Sequence, residues 1–118
     1  MAFRKPTIDE KRLLLELGRL AGIKNPTDWT ESLLVEEMDD GGMGSLRLQK
    51  PEASARDTAL VVCKSVVQFT DEDGVEVIAS LNANDEGVPI ELDIWKTDFS
   101  PLVRISTDFS PVKEPTPS

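Results

Sequence analysis

The chain has 118 residues, 39% of them hydrophobic and 30% charged, a composition that fits one globular domain with a modest aliphatic core. Thirteen Lys and Arg against 22 Asp and Glu leave a formal net charge of −9, a field that repels phosphates and argues against direct nucleic-acid binding. Absence of His removes Ser-His-Asp and Cys-His relays, histidine bases and His-containing zinc sites, and the single cysteine, Cys63, has no partner for an internal disulfide.

Thr7 and Glu10 stand at capping-box spacing just after Pro6, and Leu13, Leu14, Leu17, Leu20 and Ala21 continue as one apolar stripe stopped by Gly22. This predicts a first helix at about 8–21. Asn25-Pro26-Thr27-Asp28 restarts the pattern, and Asp28 with Glu31 repeats the cap spacing before Leu33 and Leu34, predicting a short second helix at about 28–33. The N-terminal stretch lacks the apolar core and cleavage site of a secretory signal, and no apolar run approaches the ~20 residues of a membrane helix. A cytoplasmic protein that does not bind membranes is expected.

From Val35 the period shortens, and VEEMDDGGMGSLRL is predicted to be a hairpin turning at Asp39-Asp40-Gly41-Gly42. Residues 49–58 are polar and are predicted to be a long loop. Strands are predicted at 60–69, 74–83 and 87–96, joined by Asp71-Glu72-Asp73-Gly74 and Asn84-Asp85-Glu86-Gly87. Val75, Val77, Ala79 and Leu81 share one face with Val88, Ile90, Leu92 and Ile94, while Glu76, Ser80, Asn82, Glu91, Asp93 and Trp95 share the other. The fold class expected is α+β, two N-terminal helices packed on an antiparallel meander sheet of about five strands, with a single domain over 1–106 and a C-terminal tail over 107–118.

Several constellations invite a chemical reading and have a plainer one. Cys63 lies mid-strand, where a half-buried thiol acts as a small hydrophobe. Gly41-Gly42-Met43-Gly44-Ser45 is followed by no Lys and preceded by Glu36, Glu37, Asp39 and Asp40, which fits a tight turn better than a phosphate cradle. Asn82 to Asp93 copies part of a calcium-loop spacing, yet strands rather than helices flank it, so a hairpin turn is expected. Glu91 and Asp93 sit roughly 7 Å apart on one strand face, a carboxylate pair that almost any acidic protein offers. No catalytic residue, cofactor or metal is expected.

The pentapeptide TDFSP occurs twice, at Thr97–Pro101 and ten residues later at Thr107–Pro111. Ahead of the first copy, Trp95 either packs under helices and loops or stands exposed as an anchor of the kind enriched at binding hot spots. Asp98 with Ser100 is suited to cap the turn, and Phe99 to plug the end of the sheet. Leu102, Arg104 and Ser106 alternate with Val103 and Ile105, which predicts an edge strand near 102–106. The second copy falls past the domain boundary, in front of a Pro-rich tail from Val112.

VEEMDDGGMGSL at 35–46 together with LDIWKTDFSPLVRI at 92–105 resembles a family of small, uncharacterised bacterial proteins with a DGGMGS turn and an LDIWKTDFSPL ending. The resemblance covers about residues 4–105 and implies no established activity. Size, charge and missing catalytic groups are also those of immunity proteins, which neutralise a cognate toxin. The expectation is a non-catalytic acidic domain with a protein partner, a basic toxin domain among the candidates. Its expected partner-binding residues are Trp95, Asp93, Asp98, Phe99, Asp39 and Asp40. The alternative is a small structural or regulatory domain, a monomer or weak homodimer that self-associates through an edge strand.

Overall fold

A computed structural model describes residues 3–49 and 62–112. Two helices, α1 (Ile8–Leu20) and α2 (Pro26–Ser32), precede five strands, β1 (Leu34–Glu37), β2 (Leu46–Gln49), β3 (Val62–Thr70), β4 (Glu76–Ala83) and β5 (Pro89–Lys96). The fold is α+β, with the helices on one face of a fully antiparallel sheet. Strand order is β1-β2-β5-β4-β3, so the expected meander holds only for β3, β4 and β5. The β1–β2 hairpin pairs instead with the last strand, a long-range choice that no local turn dictates. Most of the predicted loop at 49–58, and the tail beyond 112, lie outside the described residues.

The capping box forms as the spacing requires, the Thr7 hydroxyl accepting from the Glu10 amide at 3.1 Å and Glu10 accepting from the Thr7 amide at 2.8 Å. Leu13, Leu14 and Leu17 are fully buried, but Leu20 is exposed, because the stripe drifts off the sheet before the helix ends. Helix α2 starts at Pro26, earlier than the predicted 28, since proline's fixed φ suits the first helical position; Asp28 therefore lies inside the helix rather than at its cap. Trp29 of α2 lies against Gly18 of α1, where a Cβ would come within 2.8 Å of the indole ring. Only glycine lets the two helices close to this distance.

The inner sheet face contributes Val35, Leu46, Leu48, Val67, Phe69, Val77, Ala79, Leu81, Leu92 and Ile94 to one core beneath the helices. The Ser65 hydroxyl donates to the Leu17 carbonyl at 2.7 Å and ties β3 to the end of α1. Cys63 is exposed rather than half-buried, because a bulge between Cys63 and Ser65 breaks the strand alternation there. Residues 101–106 form no strand: Leu102 donates to the Gly42 carbonyl, and the amides of Val103 and Arg104 go to Asp71. The two sheet edges carry single-residue bridges, Arg4 on Val35 of β1 and Ser110 on Gln68 of β3.

Candidate functional site

Among the described residues both helices pack on one face of the sheet, and no helix covers the second. Across it run the cross-strand rows Arg47–Glu91–Asn82, Asp93–Ser80–Val66 and Trp95–Ile78–Gln68, so an acidic end passes into an apolar one. Glu36 extends the acidic end from β1 and meets Arg47 at 3.4 Å. Burial, then the neighbouring Asp93 charge, pushes the Glu91 carboxyl above its usual range, against the opposing pull of Arg47 and Asn82.

At the far end of this face Trp95 is 40% exposed and Phe99 69% exposed, their ring centroids 6.1 Å apart and tilted by 56°. The turn that carries Phe99 is built by its neighbours. Its amide donates to the Lys96 carbonyl at 2.8 Å, and Asp98 accepts from the Ser100 amide at 3.0 Å and from the Ser100 hydroxyl at 2.6 Å. Those Ser100 bonds hold the Asp98 carboxyl below its ordinary pKa, and it stays ionised and exposed beside the rings. Phe99 itself is at φ +63, a left-handed conformation that costs a bulky side chain about 1–2 kcal/mol. Instead of plugging the sheet end, this residue is strained into solvent over Trp95.

Beneath the turn the next residue points the opposite way. Lys96 is fully buried, and its ammonium donates to the Pro101 carbonyl at 3.0 Å and pairs with Asp71 at 2.9 Å and with Asp73. Burial alone would lower the lysine pKa, but the two carboxylates outweigh it and the net shift is upward. Burial likewise raises the Asp71 pKa, and the amides of Val103, Arg104 and Glu72 together with Lys96 reverse this, bringing it down to about 2. One buried carboxylate thus gathers the β3–β4 turn, the end of β5 and the segment after the first TDFSP.

The Asp39–Asp40 loop closes against the same structure. The Leu102 amide reaches the Gly42 carbonyl at 3.0 Å, and a Cβ on Gly44 would come within 3.1 Å of the Leu102 side chain. The Ser45 hydroxyl accepts from the Ile94 amide at 2.9 Å and has the Ile94 carbonyl, at 3.2 Å, and Asp93, at 3.4 Å, within reach of its one proton. Asp39 is exposed, whereas Asp40 turns inward and accepts from the amides of Met43 and Ser45, so its carboxylate organises the loop. Four of the six expected residues, Asp93, Trp95, Asp98 and Phe99, lie along one strand end and its turn; Asp39 and Asp40 lie on the loop packed behind it.

A cleft of about 160 Å³ beside this loop is lined by Glu10, Glu37, Met38 and Asp40 among others, below the roughly 300 Å³ at which small-molecule sites begin. Among the described residues no three His, Cys, Asp or Glu side chains converge as metal ligands. No helix among them is long and apolar enough to cross a membrane. Sequence reasoning passed over Lys96, Asp71, Asp73 and Ser45. The signal for Lys96 was its parity with Leu92 and Ile94, which places it on the inner face and demands acidic partners there.

Residues 3–106 match the sequence model of a family described as Domain of unknown function (DUF6984). No curated protein and no solved structure matches the chain. The match spans most of the chain, which therefore belongs to the DUF6984 family.

Proposed function

We propose that this member of the DUF6984 family is a non-catalytic, cytoplasmic protein-binding domain of the immunity type, whose open sheet face receives a basic protein. The observation that carries the reading is the Trp95–Phe99 pair: two exposed aromatic rings on a rigid strand end, one of them strained at φ +63. Backbone strain held in place by its surroundings is found most often at functional sites. Exposed aromatics of this kind supply the anchors of protein interfaces, and the Asp93 and Asp98 carboxyl groups beside them suit Lys or Arg on the partner.

Inhibition by such a domain is steric. The partner's basic surface is covered, and the net charge of −9 speeds encounter in a manner that salt screens. The expected experiment is a comparison of baits from the native host, wild type beside Trp95→Ala. A basic protein held by the first and lost by the second, with association slowed as salt rises, supports the reading. Recovery of no protein partner, or equal recovery by both baits, removes it.

A further inference from the structure

Strand β3 forms one edge of the sheet, and its alternation fixes which backbone groups face outward. Gln68 exchanges two hydrogen bonds with Ser110 outside the sheet, 2.8 and 2.9 Å long. Val66 and Thr70, two residues to either side, therefore also aim their amides and carbonyls outward. Sheet edges are commonly blunted by charge, and the other edge, the four-residue β1, carries Glu36 and Glu37 besides its Arg4 bridge. By contrast β3 is nine residues long and has a single charge, Lys64, in a chain of net charge −9.

What covers this edge is the second TDFSP. Ser110 makes the bridge, Phe109 meets Phe69 edge-to-face at a centroid distance of 5.9 Å, and Pro111 follows with no amide to extend the pairing. All of these lie beyond residue 106, where the family match ends.

We propose that residues 107–111 are a strap that occupies the outer edge of β3 and holds the protein monomeric, and that the vacated edge pairs with β3 of a second copy. The pairing is antiparallel about a two-fold axis at Gln68, with Gln68 opposite its own symmetry mate and Val66 opposite Thr70. It forms about six backbone hydrogen bonds from three outward-facing residues on each side. No like charges face each other in this register: Val66, Gln68 and Thr70 are uncharged, and Lys64 falls opposite Glu72. The bulge at Cys63–Ser65 ends the pairing on the N-terminal side. Because a continuous sheet keeps its faces, the dimer presents both Trp95–Phe99 pairs on one side.

The test is Ser110→Pro in the full chain, which deletes the amide that Gln68 uses, followed by light scattering over a concentration series with circular dichroism as a check on folding. The expected result is a roughly twofold rise in mass, reversed by adding Val66→Lys, with the Val66 amide newly protected from hydrogen exchange in the dimer. Should Ser110→Pro not fold, Phe109→Ala loosens the same strap and is read in the same way. A folded variant that stays monomeric at millimolar concentration overturns the proposal. So does a dimer indifferent to Val66→Lys, or an edge that captures another protein's strand while the variant alone remains a monomer.

Discussion

Phe99 and Phe109 hold the same place in identical pentapeptides, and the chain treats them in opposite ways. Phe99 stands at φ +63 in a tight turn, 69% exposed over Trp95 on the open face. Phe109 has no such strain and packs half-buried against Phe69 at the margin of the core. The difference arises upstream of each copy. The first follows a strand whose last residue, Lys96, is anchored beneath the sheet, so the turn must reverse sharply above it. The second follows Ile105, buried in the core, and the Ser106 carbonyl, which accepts from Arg12 at 3.4 Å, so its chain is led along the side of the domain to the β3 edge. The same five residues make a tight turn after one anchor and an edge-pairing extended segment after the other, so the anchor before them decides both the backbone path and where the aromatic ring goes.

The tie between the two copies is Asp71, and removing it is the severest way to break the comparison. Asp71→Ala strands three backbone amides and leaves the Lys96 ammonium to Asp73 and the Pro101 carbonyl, and at about 1–3 kcal/mol per orphaned group the loss of stability is expected to reach about 3 kcal/mol or more by chemical denaturation. The pH dependence has a definite sign. Because the carboxyl's folded pKa of about 2 lies below its ordinary 3.8, its contribution is complete above pH 3.8 and fades as the pH falls through about 2. Asp71→Asn should flatten that acid limb. A midpoint that still falls steeply between those values in the variant would show that another carboxylate carries the effect.

Truncating each ring separately gives a smaller effect of opposite meaning. Phe109→Ala is expected to cost about 1–3 kcal/mol, less than a fully buried phenylalanine because the ring is only partly covered. Phe99→Ala should change stability by no more than about 0.5 kcal/mol, as exposed positions do, while weakening capture of the proposed basic partner. Equal costs at the two positions would place Phe99 in the core and withdraw it from any interface.

How far the sequence foretold these arrangements depended on the range of the interaction. The first helix was legible because Thr7 and Glu10 cap it locally, and the two faces of β4 and β5 because alternation is a property of neighbours. Asp98 capping Ser100 was legible for the same reason. Strand order was not, since β2 meets β5 across more than forty residues. Neither was the second TDFSP as an edge cover, since its role depends on an unsatisfied strand more than forty residues earlier. Lys96 lies between these cases: parity on β5 alone assigns it to the inner face, but its partners Asp71 and Asp73 belong to a motif whose local chemistry is that of a turn.

The finest distinction between the copies is backbone strain, and a pair of substitutions isolates it. Asparagine tolerates the left-handed region far better than alanine, so the difference between Phe99→Asn and Phe99→Ala measures the strain at φ +63 with the ring absent from both. Phe99→Asn is expected to be the more stable by about 0.5–1 kcal/mol. At position 109, where no positive φ occurs and the ring packs against the core, the order should reverse, because Asn brings a polar amide to an apolar margin. A Phe99→Asn variant no more stable than Phe99→Ala would mean that the first turn relaxes once its ring is gone. The strain would then belong to the Trp95–Phe99 contact itself, with the aromatic pair pulling the backbone into the left-handed region rather than being held there by Lys96 and Asp98.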